Sequence, residues 1–459
     1  MISAAYAATT PPPLFTPSTP RWLAAELRTQ ETPLILWRRH LHRMPELGWM
    51  EFGTAGFLAA KLLGWGWRLT LGEDALCRAA RMGVPPAEDM RRAAARAAAE
   101  GLPPEWLSVF ADGMTAVRAD IHLGPESRDC PLLILRTDMD ALAINECRSE
   151  DHLPVREAFA SLHSGIMHAC GHDGHAAILL GLARLLARHR DDFPHPLAVR
   201  LLFQPAEEGA RGAAAMISAG ALDGADILLG MHIGLTARRT GQLVCGADGF
   251  LGTTKLDACF TGCPAHAAGA PEEGRNALLA ASAAALGLHA ISRHGEGQTR
   301  VCAGRLAAGE NRNAIPAHAL LELEVRGATQ ATHSWLEAEA RRVIAGAAGL
   351  WNCDVSITTA GSAPAASSDP RLRARLLRCA AAVPFFREPV PAAAFGASED
   401  FSAMMEAVRQ AGGQAASVLI GSRLAGGHHT PRFDFDERIL LPALSLLAHA
   451  CLDIAASPS

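Results

Sequence analysis

No stretch of this chain is continuously apolar over the roughly 18 residues that a membrane helix needs, so no membrane span is expected. Residues 1–20 lack a basic n-region and an apolar h-region, which excludes a signal peptide. Rich in Ala, Thr and Pro, they read as an unstructured leader. Charge is scarce, at 19% of residues, and the net charge is −5. With no basic stripe among the scattered Lys and Arg, nucleic acid is excluded as a partner. The eleven cysteines follow no paired spacing, and no Cys-x-x-Cys occurs. A disulfide framework and a redox dithiol are thereby disfavoured, and the reducing cytoplasm is the expected location. Most of these cysteines read as small buried hydrophobes.

What is present is apolar material, 49% of 459 residues, enough for two or three domain-sized units. Four apolar runs read as buried strands that end in polar clusters. Pro131-Leu132-Leu133-Ile134-Leu135 leads into Arg136-Thr137-Asp138-Met139-Asp140. The run from Leu197 to Phe203 leads into Glu207-Glu208. Asp226-Ile227-Leu228-Leu229-Gly230 leads into His232, and Ser417-Val418-Leu419-Ile420-Gly421 precedes His428-His429. Segments 176–188 and 439–454 have helical apolar periodicity. The fold predicted is α/β: a mostly parallel sheet with helices on both faces. Ligands of such sheets collect at the carboxyl ends of the strands.

Between residues 245 and 361 the order changes to strand, helix, strand, strand, helix, strand. That order predicts an inserted ferredoxin-like α+β domain. Asn276 is placed to cap its first helix. The catalytic domain is then split into 21–244 and 362–459. Segment 73–114, where Pro85-Pro86 and Pro103-Pro104 each precede a short helix, reads as a helical cap on it.

Chemistry concentrates in His168-Ala169-Cys170-Gly171-His172-Asp173-Gly174-His175 and in Gln204-Pro205-Ala206-Glu207-Glu208. A soft thiolate, imidazoles and paired carboxylates suit a site that holds a cation and activates water. Cys170 and His172 open a helix whose N-terminus, with nearby imidazoles or a bound metal, is expected to lower the thiol pKa. Glu208, His232 and His429 arrive from other strand ends. If Glu208 binds metal, its neighbour Glu207 stays free as general base. Asp138 and Asp140 are read as groups that orient ligand imidazoles through the far ring nitrogen, with His168 and His175 in support. Cys170 as a nucleophile beside a His is the competing reading. Structural readings are preferred for His42, Pro45, Glu46 and Glu51, as packing and capping residues. His294, His318 and His333 are expected at the surface.

These two runs, with Gly396-Ala397-Ser398-Glu399-Asp400-Phe401, resemble the amidohydrolase branch of the aminoacylase/carboxypeptidase-type dinuclear metallopeptidases. Arg38-Arg39-His40-Leu41-His42, Arg136-Thr137-Asp138-Met139-Asp140 and His429-Thr430-Pro431 extend the likeness over nearly the whole chain after about residue 30. The resemblance implies two divalent cations per subunit, Mn²⁺ or Zn²⁺ with Co²⁺ as a further choice. It places them on Cys170, His172, Glu208, His232 and His429, with Glu207 as base. It further implies dimerisation through the inserted domain, as a homodimer or with a related subunit. His266 would reach the partner's site to help hold the substrate carbonyl, and Asn313 and Arg326 would bind the substrate's polar end. The activity implied is hydrolysis of an N-acyl or aminobenzoyl amino acid, p-aminobenzoyl-glutamate first. The alternatives are a general acyl-amino-acid hydrolase, a dipeptidase and a non-catalytic partner chain. Ala143 and Ile233-Gly234-Leu235 stand where the family often has Pro, a departure that touches loop shape.

Overall fold

The computed structural model describes residues 16–127 and 129–457; residues 1–15 of the expected leader lie outside them. At its centre is an eight-stranded sheet in which four of seven pairings are parallel. Strands Leu197–Gln204, Leu132–Asp138, Ile227–Ile233 and Gln414–Ile420 lie side by side in that order and run the same way. These are the four apolar runs recognised in the sequence. Antiparallel pairings bring in Arg68–Leu71 and Val117–Leu123 on one flank and Gln242–Val244 on the other. The sheet is therefore parallel at its core and mixed at its edges. The central strands are covered on both faces, whereas the outermost strand Arg68–Leu71 stays partly exposed, which antiparallel pairing tolerates.

Alternation along each central strand feeds two cores. Leu133, Leu135, Leu201, Phe203, Leu229 and Met231 join a cluster with helices Glu31–Arg43, Phe52–Gly64, His172–Arg188 and Leu440–Ala456. Ile134, Leu202 and Leu228 join the opposite cluster, which Ala213–Ser218 and Phe401–Gln410 cover. Each fully buried Leu or Phe contributes about 1.5–3 kcal/mol. The terminal helical segment Glu437–Ala456 is long and apolar enough to cross a membrane, contrary to expectation, but 83% of its apolar window is buried inside the protein. It is a core helix here.

A second, four-stranded antiparallel sheet occupies 252–363. Its strand order is Asp354–Ala363, Gly252–Thr261, His318–Gly327, Thr299–Ala308. Helices Ala277–His289 and Gln330–Leu350 fill one face, giving the ferredoxin-like arrangement. Asn276 caps the first helix by accepting from the Leu279 N–H. His333 corrects an expectation: it is buried, and shares a 3.0 Å hydrogen bond with the Thr254 hydroxyl. The other face of this sheet is turned toward the main sheet's strand ends. Its strand Asp354–Ala363 presses Gly361 onto the Gly209 carbonyl, a contact too close for any side chain. Ser362 N–H also donates to the Ala210 carbonyl at 2.8 Å.

Candidate metal centre

Because the four central strands are parallel, their carboxyl ends open on one edge, and the loops beyond them converge there. Cys170 sits on the loop before helix His172–Arg188, and Gly171 takes a left-handed φ of 100° to turn the chain into that helix. His232 lies near the end of its strand. His429 lies on the loop after Gln414–Ile420, and its N–H donates to the Ala169 carbonyl at 2.8 Å. Cys170 Sγ is 3.4 Å from His232 Nε2. His429 Nε2 is 3.4 Å and His172 Nε2 4.0 Å from Glu208 Oε1.

These donors fit divalent cations. His172 Nδ1 donates to the Asp140 carbonyl at 2.8 Å and His232 Nδ1 to the Ile233 carbonyl at 2.8 Å. Each ring thus turns its Nε2 lone pair into the site. His172 Nε2 and Glu208 Oε1 are buried with no hydrogen-bond partner among the described residues. Three overlapping groups, Cys170-His172-His232, Cys170-Glu208-His429 and His172-Glu207-Glu208, each have ligand atoms within 4.8 Å of one another. Mixed S, N and O donors of this kind suit Zn²⁺, Mn²⁺ or Co²⁺.

The local electrostatics ask for positive charge. Glu207 is pushed well above the usual carboxylate range, first by burial and then by Glu399 and Glu208. Burial, followed by the Asp138 and Asp400 charges, raises Glu399 to about 8 against the pull of Arg136. Burial and the Glu208 charge hold the Cys170 thiol well above the usual range, although His172 pulls the other way. The helix N-terminus does not by itself make a thiolate. His232 beside it is depressed by burial and by His175.

Asp138 and Asp140 each stand against a site imidazole, Asp140 Oδ1 lying 3.4 Å from His172 Nδ1. Asp140 orients His172 through its backbone carbonyl, while its carboxylate accepts the N–H groups of Glu207 and Glu208 at 3.1 and 3.0 Å. Asp138 Oδ1 holds His175 Nδ1 at 2.7 Å and lies 3.8 Å from the Nε2 side of His172. The ring it grips is thus His175, whose Nε2 accepts from the Ile233 N–H. Ala206, just before the pair, takes a left-handed φ of 52°. Its N–H is held by Glu51 Oε1 at 2.8 Å, and Glu51 Oε2 accepts from Thr115. Glu51 is therefore scaffolding for the site, while Glu46 does cap helix Phe52–Gly64 through the Gly53 and Thr54 N–H groups. His168 is buried, with neither ring nitrogen bonded among the described residues.

A cavity of about 350 Å³ opens over Cys170, Glu207, Glu208, His232 and His429. That is enough for an acyl-amino acid. Leu235, Phe395 and Ala397 form an apolar part of its wall, and Arg326 reaches it from the second sheet. His266 and Asn313 do not line it. They stand on neighbouring exposed loops of the inserted domain, where the Ala267 N–H donates to the Asn313 carbonyl. Residue reasoning missed Lys255, Thr253, His428 and Glu399 as cavity residues. Glu399 was signalled by the run in which it stands, and Lys255 by its rarity.

The chain is similar to known proteins over most of its length. The model of peptidase family M20/M25/M40 matches residues 134–453. An indole-3-acetyl-aspartic acid hydrolase of Enterobacter agglomerans is 45% identical over 91% of this chain and 94% of its own. The A subunit of the p-aminobenzoyl-glutamate hydrolase of Escherichia coli strain K12 is 43% identical over the same shares. The crystal structure of an aminobenzoyl-glutamate utilization protein from Klebsiella pneumoniae superposes with a TM-score of 0.80 at 37% identity, covering 94% of this chain and 98% of that one. The chain belongs to the peptidase family M20/M25/M40.

Proposed function

We propose that this protein hydrolyses p-aminobenzoyl-glutamate to p-aminobenzoate and glutamate. It is a metal-dependent hydrolase of C–N amide bonds. The observation that carries the substrate reading is the cavity itself. Imidazoles, a thiol and carboxylates lie at its base, with Phe395 and Leu235 on one wall and Arg326 on the lid side. An aromatic acyl group suits the apolar wall, and the guanidinium suits a carboxylate.

Cys170, His172, Glu208, His232 and His429 would hold two divalent ions, Mn²⁺ or Zn²⁺ with Co²⁺ as a further choice. Bound there, such ions polarise a carbonyl and lower the pKa of water. Glu207 takes a proton from the attacking water on its carboxylate and delivers it to the leaving nitrogen as the C–N bond breaks. Burial keeps Glu207 a stronger base than a solvated carboxylate. Arg326 holds a substrate carboxylate. His266 and Asn313 serve the site of a second copy or of a related subunit, His266 steadying the carbonyl there. The inserted domain, 245–361, makes that contact, and the split halves 21–244 and 362–459 form the catalytic domain. The cytoplasm is the proposed location, since all eleven cysteines are unpaired.

Indole-3-acetyl-aspartate is the second reading, favoured by the 45% identical relative. The test is a rate panel of p-aminobenzoyl-glutamate, indole-3-acetyl-aspartate and several aliphatic acyl-amino acids, with each metal in turn. A clear preference for the first supports the proposal. Equal rates across the panel would identify a general acyl-amino-acid hydrolase instead.

A further inference from the structure

Lys255 is one of only two lysines in a chain with 42 basic residues. It lies on Gly252–Thr261, whose residues Leu256, Ala258 and Phe260 point into the core of the inserted domain. Side chains alternate along a strand, so Thr253 and Lys255 turn to the opposite face, where both line the cavity over the metal centre. In the neighbouring strand Arg326 pairs with Thr253 and Glu324 with Lys255. Four polar residues thus share one patch.

The charges of that patch do not balance. Glu324 is fully engaged by Arg326, at 2.9 Å to Nε and 3.1 Å to Nη2. Lys255 makes no hydrogen bond and no ion pair among the described residues. It is nonetheless half-buried, and desolvation pulls its ammonium below the usual lysine range even though Glu207 and Glu324 pull the other way. A desolvated cation without a partner is costly, and an arriving anion removes that cost. Lys255 and Arg326 are diagonal neighbours across the two strands, about 7–8 Å apart. Two long side chains on adjacent strands can close that span onto the two carboxylates of one glutamate or aspartate.

We propose that Lys255 recognises the side-chain carboxylate of the leaving amino acid, while Arg326 takes its α-carboxylate. Lys255 is then the residue that selects acidic amino acids, an inference that rests on the hydrolase reading above. No bond to Lys255 forms or breaks in the reaction.

The test pairs the substrate's charge with the lysine's. Wild type, Lys255→Met and Lys255→Arg are assayed on p-aminobenzoyl-glutamate and on its isostere p-aminobenzoyl-glutamine, with melting curves to show that each variant folds. Wild type should favour glutamate over glutamine in kcat/KM by about 10- to 100-fold, the worth of one charged hydrogen bond. Lys255→Met should collapse that ratio toward one, chiefly through KM, and Lys255→Arg should keep most of it. An unchanged ratio in Lys255→Met would overturn the assignment. So would equal losses on both substrates, which would place Lys255 at the reacting carbonyl. If wild type hydrolyses neither compound, the hydrolase reading fails. Calorimetric binding of the same two compounds to wild type and Lys255→Met then decides the lysine's role by the same ratio.

Discussion

Glu207 and Glu208 are identical neighbours that the backbone sends to different tasks. Glu208 turns toward His429 and His172, its Oε1 lying 3.4 and 4.0 Å from their Nε2 atoms. Glu207 turns toward Glu399 and Asp400, all three within 4.8 Å of one another. Charge neutralisation should therefore separate them. Glu207→Gln is expected to lower kcat by about 10²–10⁴-fold, the usual worth of a positioned base, with metal content unchanged. Glu208→Gln is expected to lose metal as well as rate. Elemental analysis beside a rate assay tests both, and full activity in Glu207→Gln at normal metal content would end its assignment as base.

At the scale of elements, the turn that delivers both glutamates is held from two sides. Ala206 is in the left-handed region, an uncommon place for a residue with a Cβ. Glu51 grips its N–H from one side, and Asp140 grips the next two N–H groups from the other. Glu51→Ala removes one grip and leaves a buried N–H unpaired, which costs about 1–3 kcal/mol. We expect a lower unfolding midpoint together with a fall in kcat of tenfold or more, since the displaced turn carries the base. A stability loss with kcat untouched would show that Glu51 supports the fold but not the turn.

At the scale of the whole molecule, a buried charge network ties the two ends of the chain together beside the candidate metal centre. Arg38 reaches Asp173, Asp434 and Glu437, and His42 bonds Asp173 at 2.8 Å and Glu146 at 3.0 Å. Burial alone would lower the His42 pKa, but those two carboxylates raise it to about 9. Burial alone would raise Glu146, but its bonds to His152 and His42 lower it to about 2. The His42 contribution is therefore complete below pH 6.5 and lost as pH rises through 9. That of Glu146 is complete above about pH 4.5 and lost as pH falls through 2. The contribution of this His42–Glu146 pair should peak between about pH 4.5 and 6.5 and fall by about 3 kcal/mol on the alkaline side. Urea titrations across pH measure it, and His42→Gln should flatten the alkaline limb. The second whole-molecule expectation concerns His266. If a partner copy supplies it, mixing inactive His266→Ala with inactive Glu207→Gln should restore about a quarter of wild-type activity, because half of re-paired dimers are mixed and each has one sound site. No recovery after subunit exchange would place His266 outside the partner's site.

The sequence by itself determined the strand runs, their polar ends and the inserted strand-helix order. These are local signals, because side-chain periodicity and turn chemistry act over a few residues. It also presented Cys170 and His172 at the head of a helix, and Glu208, His232 and His429 after apolar runs, as candidates. Only the tertiary structure decided that Asp140 meets His172 Nδ1 with its carbonyl as well as its carboxylate, and that Asp138 holds His175. It also decided that Cys170 is buried, with the Glu208 charge beside it. His42 and Glu51 read as packing residues because their partners, Asp173 and Ala206, are more than a hundred residues away in the chain. Lys255 stayed hidden for the same reason. Its meaning lies in having Glu207 across a cavity and no counter-ion of its own, and contact between two sheets is a property that no local window contains.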